Sequence, residues 1–161
     1  MIRRHVPEIS FARLTEVPSE VLMAHMSDPR MREHMPLLMA VWTPEIAAAF
    51  VAEKEACWQR DGLGHWAIFA DGRYAGWGGF QKEGSEWDFG LVLKPDSFGL
   101  GPPIARAAIA FARADARIPF VTFLLPPSRR NLGALGRLGA TFVGRVEHAG
   151  APFLKYRLET A

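Results

Sequence analysis

The sequence predicts a single mixed α/β domain, and three observations carry that prediction. Strand-like and helix-like patterns follow one another along all 161 residues, with no linker, repeat or low-complexity segment between them. The stretch 87–101, WDFGLVLKPDSFGLG, reads as an apolar strand, a Pro-Asp-Ser turn, and a Gly-x-Gly that opens an Ala-rich helix. That helix leads into Phe120-Val121-Thr122-Phe123-Leu124-Leu125, a nearly continuous apolar run typical of a strand covered on both faces. Strand, helix and strand in this order make a right-handed crossover, which sets two parallel strands side by side in the middle of a sheet.

Composition narrows the function classes. Hydrophobic residues make up 49% and charged residues 22%, an ordinary globular balance. The net charge of +2 is too small to argue for a nucleic-acid partner. No run of about 18 apolar residues exists, so no membrane span is expected. The N-terminus has charge at Arg3 and Arg4 but continues into Pro7-Glu8, which is not a signal-peptide pattern. Cys57 is the single cysteine, and no paired Cys/His spacing suggests a metal. The expectation is a cytoplasmic protein, monomer or homodimer, without a bound metal.

Each element has a local reason. Residues 9–14 alternate apolar with small or polar side chains, as a first strand does. After Pro18, Val21, Leu22 and Met26 fall at helical spacing until Asp28-Pro29 interrupts, because the residue before proline avoids the α region. Met31, Met35, Leu37, Leu38 and Met39 form a Met-rich patch suited to an irregular core or an adaptable pocket. Thr43-Pro44-Glu45 starts the next helix: threonine caps, proline suits the first position, and glutamate suits the positive end of the dipole. That helix is expected to stop at Asp61-Gly62, with Ile46, Phe50, Val51, Cys57 and Trp58 on or beside its buried face.

Residues 65–70 and 73–80 read as strands joined by Asp71-Gly72, the preferred chemistry of a tight hairpin turn. Gly76, Gly78 and Gly79 mark a bulge or the close approach of something else. Gly84-Ser85 turns the chain into the strand at 87–93. After the Ala-rich helix and the strand at 120–125, Pro126-Pro127 breaks the chain. Ser128 is then a candidate cap for a short helix with Leu132, Leu135 and Leu138, ended by Gly139. Strands at 141–147 and 153–159 close the domain, the last with Leu154, Tyr156 and Leu158 inward.

The chemistry lies in the 87–101 stretch, where a strand running into a glycine-bearing helix start can gather backbone N–H groups around a phosphate. A nucleotide-binding fingerprint is excluded, since there is no Gly-Lys-Ser/Thr and no third glycine at the required offset. The segment Asp88-Phe89-Gly90-Leu91-Val92-Leu93-x-Pro95-x-x-Phe98-Gly99-Leu100-Gly101 instead resembles the Gcn5-related N-acetyltransferases (GNAT), in particular their RimJ/RimL-like branch of ribosomal-protein N-acetyltransferases. Thr43-Pro44-Glu45, Ser128-Arg129-Arg130-Asn131 and Leu138-Gly139-Ala140-Thr141-Phe142-x-x-Gly144 extend the resemblance over nearly the whole chain.

The resemblance implies a GNAT fold with a mixed sheet of about six to seven strands and a V-shaped splay between its two central parallel strands. It implies acetyl-CoA as co-substrate and direct transfer of the acetyl group to a primary amine, either a protein N-terminus or a small molecule. The pantetheine would pair with the backbone of Leu91, Val92 and Leu93. The pyrophosphate would sit at Phe98, Gly99, Leu100, Gly101, Ile104 and Ala105, and Ser128 and Asn131 would reach the cofactor. Asp88 stands where this branch often carries a glutamate, and Glu86 lies two residues earlier on the same strand face. Both are candidates for the base that a protonated amine requires. Arg106, Arg129 and Arg130 are candidates for a 3′-phosphate. Leu135 stands where many relatives carry a tyrosine acid. Trp66, Trp77 and Trp87 can frame an acceptor pocket or fill the core.

The chain departs from the family at Pro102-Pro103, because proline has no N–H to offer a phosphate. Leu100, Gly101, Ile104 and Ala105 are the expected compensating donors. The alternative to an enzyme is therefore a catalytically impaired CoA-binding or protein-interaction module.

Overall fold

A computed structural model describes residues 5–33, 41–127 and 133–161. Met35, Leu37, Leu38, Met39, Ser128, Arg129, Arg130, Asn131 and Leu132 lie outside the described residues. The first half of the chain contains β1 (Ile9–Ala12), α1 (Ser19–Ser27), α2 (Pro44–Asp61), β2 (His65–Ala70) and β3 (Arg73–Glu83). The second half contains β4 (Glu86–Leu93), α3 (Gly101–Ala114), β5 (Phe120–Leu125), α4 (Gly133–Leu138), β6 (Thr141–His148) and β7 (Ala151–Glu159). Short 3-10 turns occupy Leu14–Glu16, Pro29–Glu33 and Pro95–Leu100.

The strands form one mixed sheet in the order β1-β2-β3-β4-β5-β7-β6. Every neighbouring pair is antiparallel except β4 and β5, whose crossover through α3 makes them parallel. The mixed α/β class and the strand number expected from the sequence both hold.

Side-chain alternation assigns the two faces of the sheet. Trp66, Phe80, Trp87, Val121, Phe123 and Leu158 pack against Ala108, Ile109 and Ala112 of α3. Ala67 and Trp77 pack on the opposite face against Leu22 and Met26 of α1, Ala47 of α2, and Trp42. Trp66, Trp77 and Trp87 are therefore buried core residues, on both faces of the sheet. Their polar atoms are used internally: Trp87 Nε1 donates to Arg117 O at 3.0 Å, and Trp77 Nε1 meets Met26 Sδ at 3.3 Å. Cys57 is buried in α2 as expected.

The helix and turn signals work as read. Thr43 Oγ1 accepts from Ile46 N–H at 3.2 Å, and α2 ends at Gly62 in the left-handed conformation. Asp71 and Gly72 both take positive φ, 51° and 77°, the twist a two-residue hairpin requires. Among the described residues, no helix is long and apolar enough to cross a membrane.

Gly76 and Gly78 of β3 serve the approach of β4, and Gly79 that of the Trp66 indole. Gly78 has φ 152°, and a Cβ built there would fall 2.3 Å from Gly90 O. Gly78→Ala combines backbone strain with a clash against main chain that cannot swing away. We expect a loss of about 2–3 kcal/mol and a fall in Tm of roughly 5–10 °C, measured by thermal unfolding.

Candidate active site

The parallel pair that organises the sheet is short. β4 and β5 pair at Trp87↔Val121, Asp88↔Thr122 and Phe89↔Phe123, and no further pair forms among the described residues. β4 nevertheless continues to Leu93, held by β3 alone through Gly79↔Gly90, Gly78↔Leu91, Trp77↔Val92 and Gly76↔Leu93. The two central strands thus part after Phe89, and the β5-facing edge of β4 over residues 90–93 is left without β5 as a partner. An edge of this kind offers N–H and C=O groups to an extended ligand, as in strand addition.

Asp88 sits at the last turn of pairing before that parting. Alternation places it with Glu86, Gly90 and Val92 on the face covered by α1 and α2, opposite α3. Thr122 Oγ1, from the neighbouring parallel strand, lies 3.1 Å from Asp88 Oδ1 and donates to it. Burial pushes the Asp88 carboxyl up from 3.8 to about 6, against the opposing pull of the Thr122 hydroxyl. Glu83 adds to the rise, while His148 and Lys155 lower it. A carboxylate with this value is a proton acceptor matched to neutral pH. Glu86 is occupied differently, since Lys155 Nζ holds its carboxylate at 2.7 Å. Lys155 therefore does not point to bulk water as strand alternation alone suggests. It faces the same side of the sheet as Asp88.

Thr122→Val tests the carboxyl's environment directly. Removing the donor removes the main influence that lowers the Asp88 pKa, so titration should move to higher pH by about one unit. The shift is readable by NMR of the Asp88 carboxyl carbon, independently of any activity.

The proposed phosphate cradle is built in an unexpected way. Residues Pro95–Leu100 form a 3-10 turn, Leu100 is the N-cap, and α3 begins at Gly101. Pro102 and Pro103 thus occupy the second and third helical positions, whose N–H groups are normally unpaired. Gly101 N–H is already bonded to Phe98 O. In an α-helix beginning at Gly101, the N–H groups of Ile104 and Ala105 pair with the carbonyls four residues earlier. Of the four residues expected to compensate for the prolines, Gly101, Ile104 and Ala105 are thus drawn into local helical bonding. Among the described residues space is not the obstacle: a Cβ added at Gly99 or Gly101 would meet nothing within 4 Å. As folded, this end of α3 has room for a phosphate but few donors for it.

The other predicted cofactor residues divide by depth. Leu93 and Ile104 are buried together with Ile68, so Leu93 can contribute only backbone. Leu91 and Leu100 pack at the edge of that cluster, and Val92 packs beneath the α1–α2 layer. Phe98 is 40% exposed, Ala105 is half-buried and Arg106 is exposed on α3. Leu135 packs on the main core. Ser128 and Asn131 lie outside the described residues.

Three polar residues near the site were not singled out by the sequence reading. Thr122 is the lone hydroxyl in the apolar run 120–125, and that isolation was the available signal. Lys54 falls at helical spacing with Ala47, Phe50 and Cys57, which puts a lysine on the buried side of α2. His65 opens β2 and gave no signal beyond its strand context.

No protein-family model matches the chain, and no curated protein matches it in sequence. Solved structures match it over nearly full length. A GnaT-family acetyltransferase from Bordetella pertussis superposes with a TM-score of 0.70 at 15% identity, covering 98% of each chain. The N-acetyltransferase PseH of Campylobacter jejuni, in complex with acetyl coenzyme A, gives 0.68 at 17% identity, covering 96% of this chain and 100% of its own. RimL, a ribosomal L7/L12 alpha-N-protein acetyltransferase in complex with coenzyme A, gives 0.73 at 16% identity, covering 95% of this chain and 93% of its own. The chain has the GNAT fold. The seven-stranded mixed sheet and the parting of β4 from β5 are thus features of a GNAT architecture, and RimL is one of several GNAT structures that match at similar scores.

Proposed function

We propose that this protein is an acetyl-CoA-dependent N-acetyltransferase that moves the acetyl group directly to a primary amine. The observation that carries the reading is Asp88, a half-buried carboxylate raised to about 6 where β4 and β5 part. The fold shared with structures that hold acetyl-CoA or coenzyme A supports the co-substrate. In this reading the thioester lies along residues 90–93. Asp88, directly or through one water, removes a proton from the incoming ammonium. The neutral amine then attacks the thioester carbonyl, the C–S bond breaks, and the departing CoA thiolate takes up the second proton of the attacking nitrogen, with no covalent enzyme intermediate. A backbone N–H of β4 near Leu91 or Val92 stabilises the developing oxyanion. Lys155, tied to Glu86, helps shape the field around Asp88.

A second reading has its own observation. With Pro102 and Pro103 in the first turn of α3 and Gly101 N–H bonded to Phe98 O, the pyrophosphate site is poor in donors. A CoA-binding or protein-interaction module that has lost turnover would have this character. Calorimetry or thermal unfolding with acetyl-CoA, followed by an amine panel with release of free CoA thiol as readout, separates the two. Binding with turnover is expected. Binding without turnover on any amine supports the second reading, and no binding near millimolar ligand rejects the enzyme.

A further inference from the structure

The face of the sheet that presents Asp88 also carries a buried ammonium and a buried imidazole that the acyl-transfer chemistry leaves unused. Lys54 of α2 is only 9% exposed. Its Nζ donates to Gln81 Oε1 at 2.9 Å and lies 5.2 Å from the Trp77 ring centroid and 5.5 Å from that of Phe50. Among the described residues no carboxylate comes within 4.0 Å of it, although it has three donors to satisfy. Glu53 and Glu83 act on it only at longer range, and Glu83 instead accepts from the Gln81 amide at 3.2 Å. A buried cation without a counter-charge is costly and gains most from an incoming anion.

His65 is likewise 9% exposed, and its Nδ1 is buried with no hydrogen-bond partner among the described residues. Its ring lies 5.5 Å from that of Trp77, the same indole that faces Lys54. The other edge of the imidazole looks across the sheet to β4. A Cβ built on Gly90 would have His65 Nε2 at 3.6 Å and Cε1 at 3.7 Å, with no other neighbouring side chain or strand within 4 Å. These are ordinary contact distances, so packing does not demand glycine at this position. Among the described residues, His65 is the group that Gly90 faces. Burial and the Lys54 charge hold the imidazole neutral, down to about 3. A neutral ring protonated on Nε2 presents that N–H toward Gly90.

Register places these groups beside the base. His65, Gly79 and Gly90 form one row across the sheet, and Gln81, Asp88 and Thr122 form the next row on the same face. One side of the strip thus offers a cation and a neutral donor, and the other offers a proton acceptor. Resting on the acyl-transfer reading, we infer that the acceptor is an amine that also carries a carboxylate, bound by Lys54 and His65 while Asp88 receives the ammonium proton. Polycationic acceptors such as polyamines and aminoglycosides are disfavoured, because they would bring further positive charge to Lys54. Free amino acids and peptides with an acidic residue at their start share the recognised chemistry.

The test compares matched acceptors with and without the carboxylate: β-alanine against propylamine, glycylglycine against glycylglycinamide, and a Glu-initiated peptide amide against its Gln counterpart. Binding is read by calorimetry on the wild-type protein, with and without CoA, so the result does not depend on turnover. The carboxylate member of at least one pair should bind about tenfold or more tightly, and Lys54→Met should abolish that preference. The first two pairs report free amino acids and short peptide ends, and the third reports an acidic side chain. Equal affinity within every pair, no binding of any carboxylate member, or a preference that survives in Lys54→Met overturns the inference. Failure of acetyl-CoA itself to bind is a separate result that rejects the acyl-transfer reading. Lys54→Met places an unbranched apolar chain between Phe50 and Trp77, and thermal unfolding checks that it folds.

Discussion

Asp88→Asn is expected to lower kcat by about two orders of magnitude or more while leaving acetyl-CoA affinity unchanged. The substitution keeps the shape of the side chain and its contact with Thr122 but removes the proton acceptor. In the wild type, kcat/KM should rise with pH through about 6, the value to which burial pushes this carboxyl. The Asn variant should lose that acidic limb. Stability should move the opposite way to activity. The folded protein holds the Asp88 proton more tightly than the unfolded chain, whose value is near 3.8. Stability from this group is therefore fully present below about pH 4, falls as pH rises from about 4 to 6, and stays reduced above. The Asn variant carries no charge at any pH, so it should melt higher than wild type at pH 7 to 8 and lose that advantage below about pH 4. The other groups facing Asp88 are Glu83, His148 and Lys155, and none is altered by the substitution. Unchanged kcat, or a variant less stable at pH 7, would remove Asp88 as the buried base.

Lost turnover with gained stability is the signature of a strained functional group rather than a structural one. It also explains why Asp88 and Glu86 differ despite sharing a strand face. Glu86 has an ion partner in Lys155 at 2.7 Å, whereas Asp88 has the Thr122 hydroxyl and, among the described residues, no cation within 4.0 Å. Spacing alone made them equivalent candidates. The difference comes from β7, a strand some 65 residues away in the chain, which no local pattern links to β4.

What the sequence could reveal followed from how local its causes were. The cap at Thr43, the turn at Asp71-Gly72 and the crossover into β5 each depend on a few adjacent residues, and each was legible. Gly76, Gly78 and Gly79 were legible as a close approach, but the partners, β4 backbone for Gly76 and Gly78 and the Trp66 indole for Gly79, emerge only when the sheet is assembled. The site was half legible. Asp88 stood out by its position in a motif, whereas Thr122, His65 and Lys54 come from β5, β2 and α2 and meet only when the sheet is assembled. The turn at Pro95-Asp96-Ser97 was legible, but its winding into a 3-10 helix as far as Leu100 was not, and the bond from Gly101 N–H to Phe98 O depends on that winding.

Pro102→Ala with Pro103→Ala is expected to tighten acetyl-CoA binding by roughly tenfold to a hundredfold. The reason is arithmetic on donors at one helix end. Leu100 caps α3, Gly101 spends its N–H on Phe98 O, and the next two residues have none. Alanine at both positions restores two N–H groups at the positive end of the helix dipole, beside glycines whose surroundings are open. A hydrogen bond to a charged group contributes about 1.5–3 kcal/mol, so one productive bond to the pyrophosphate covers the expected range. Both prolines stiffen the unfolded chain, and their loss should cost about 0.4–1 kcal/mol each in stability. Affinity and stability should therefore separate, with tighter binding in a slightly weaker protein. The single variants report which position faces the phosphate. An unchanged Kd in the double variant means that the pyrophosphate is held elsewhere, and the helix start ceases to be a cradle. If wild type fails to bind acetyl-CoA and the double variant binds it, the prolines mark the point at which a GNAT scaffold gave up its co-substrate. In that case Asp88 keeps the chemistry of a base without a reaction to serve.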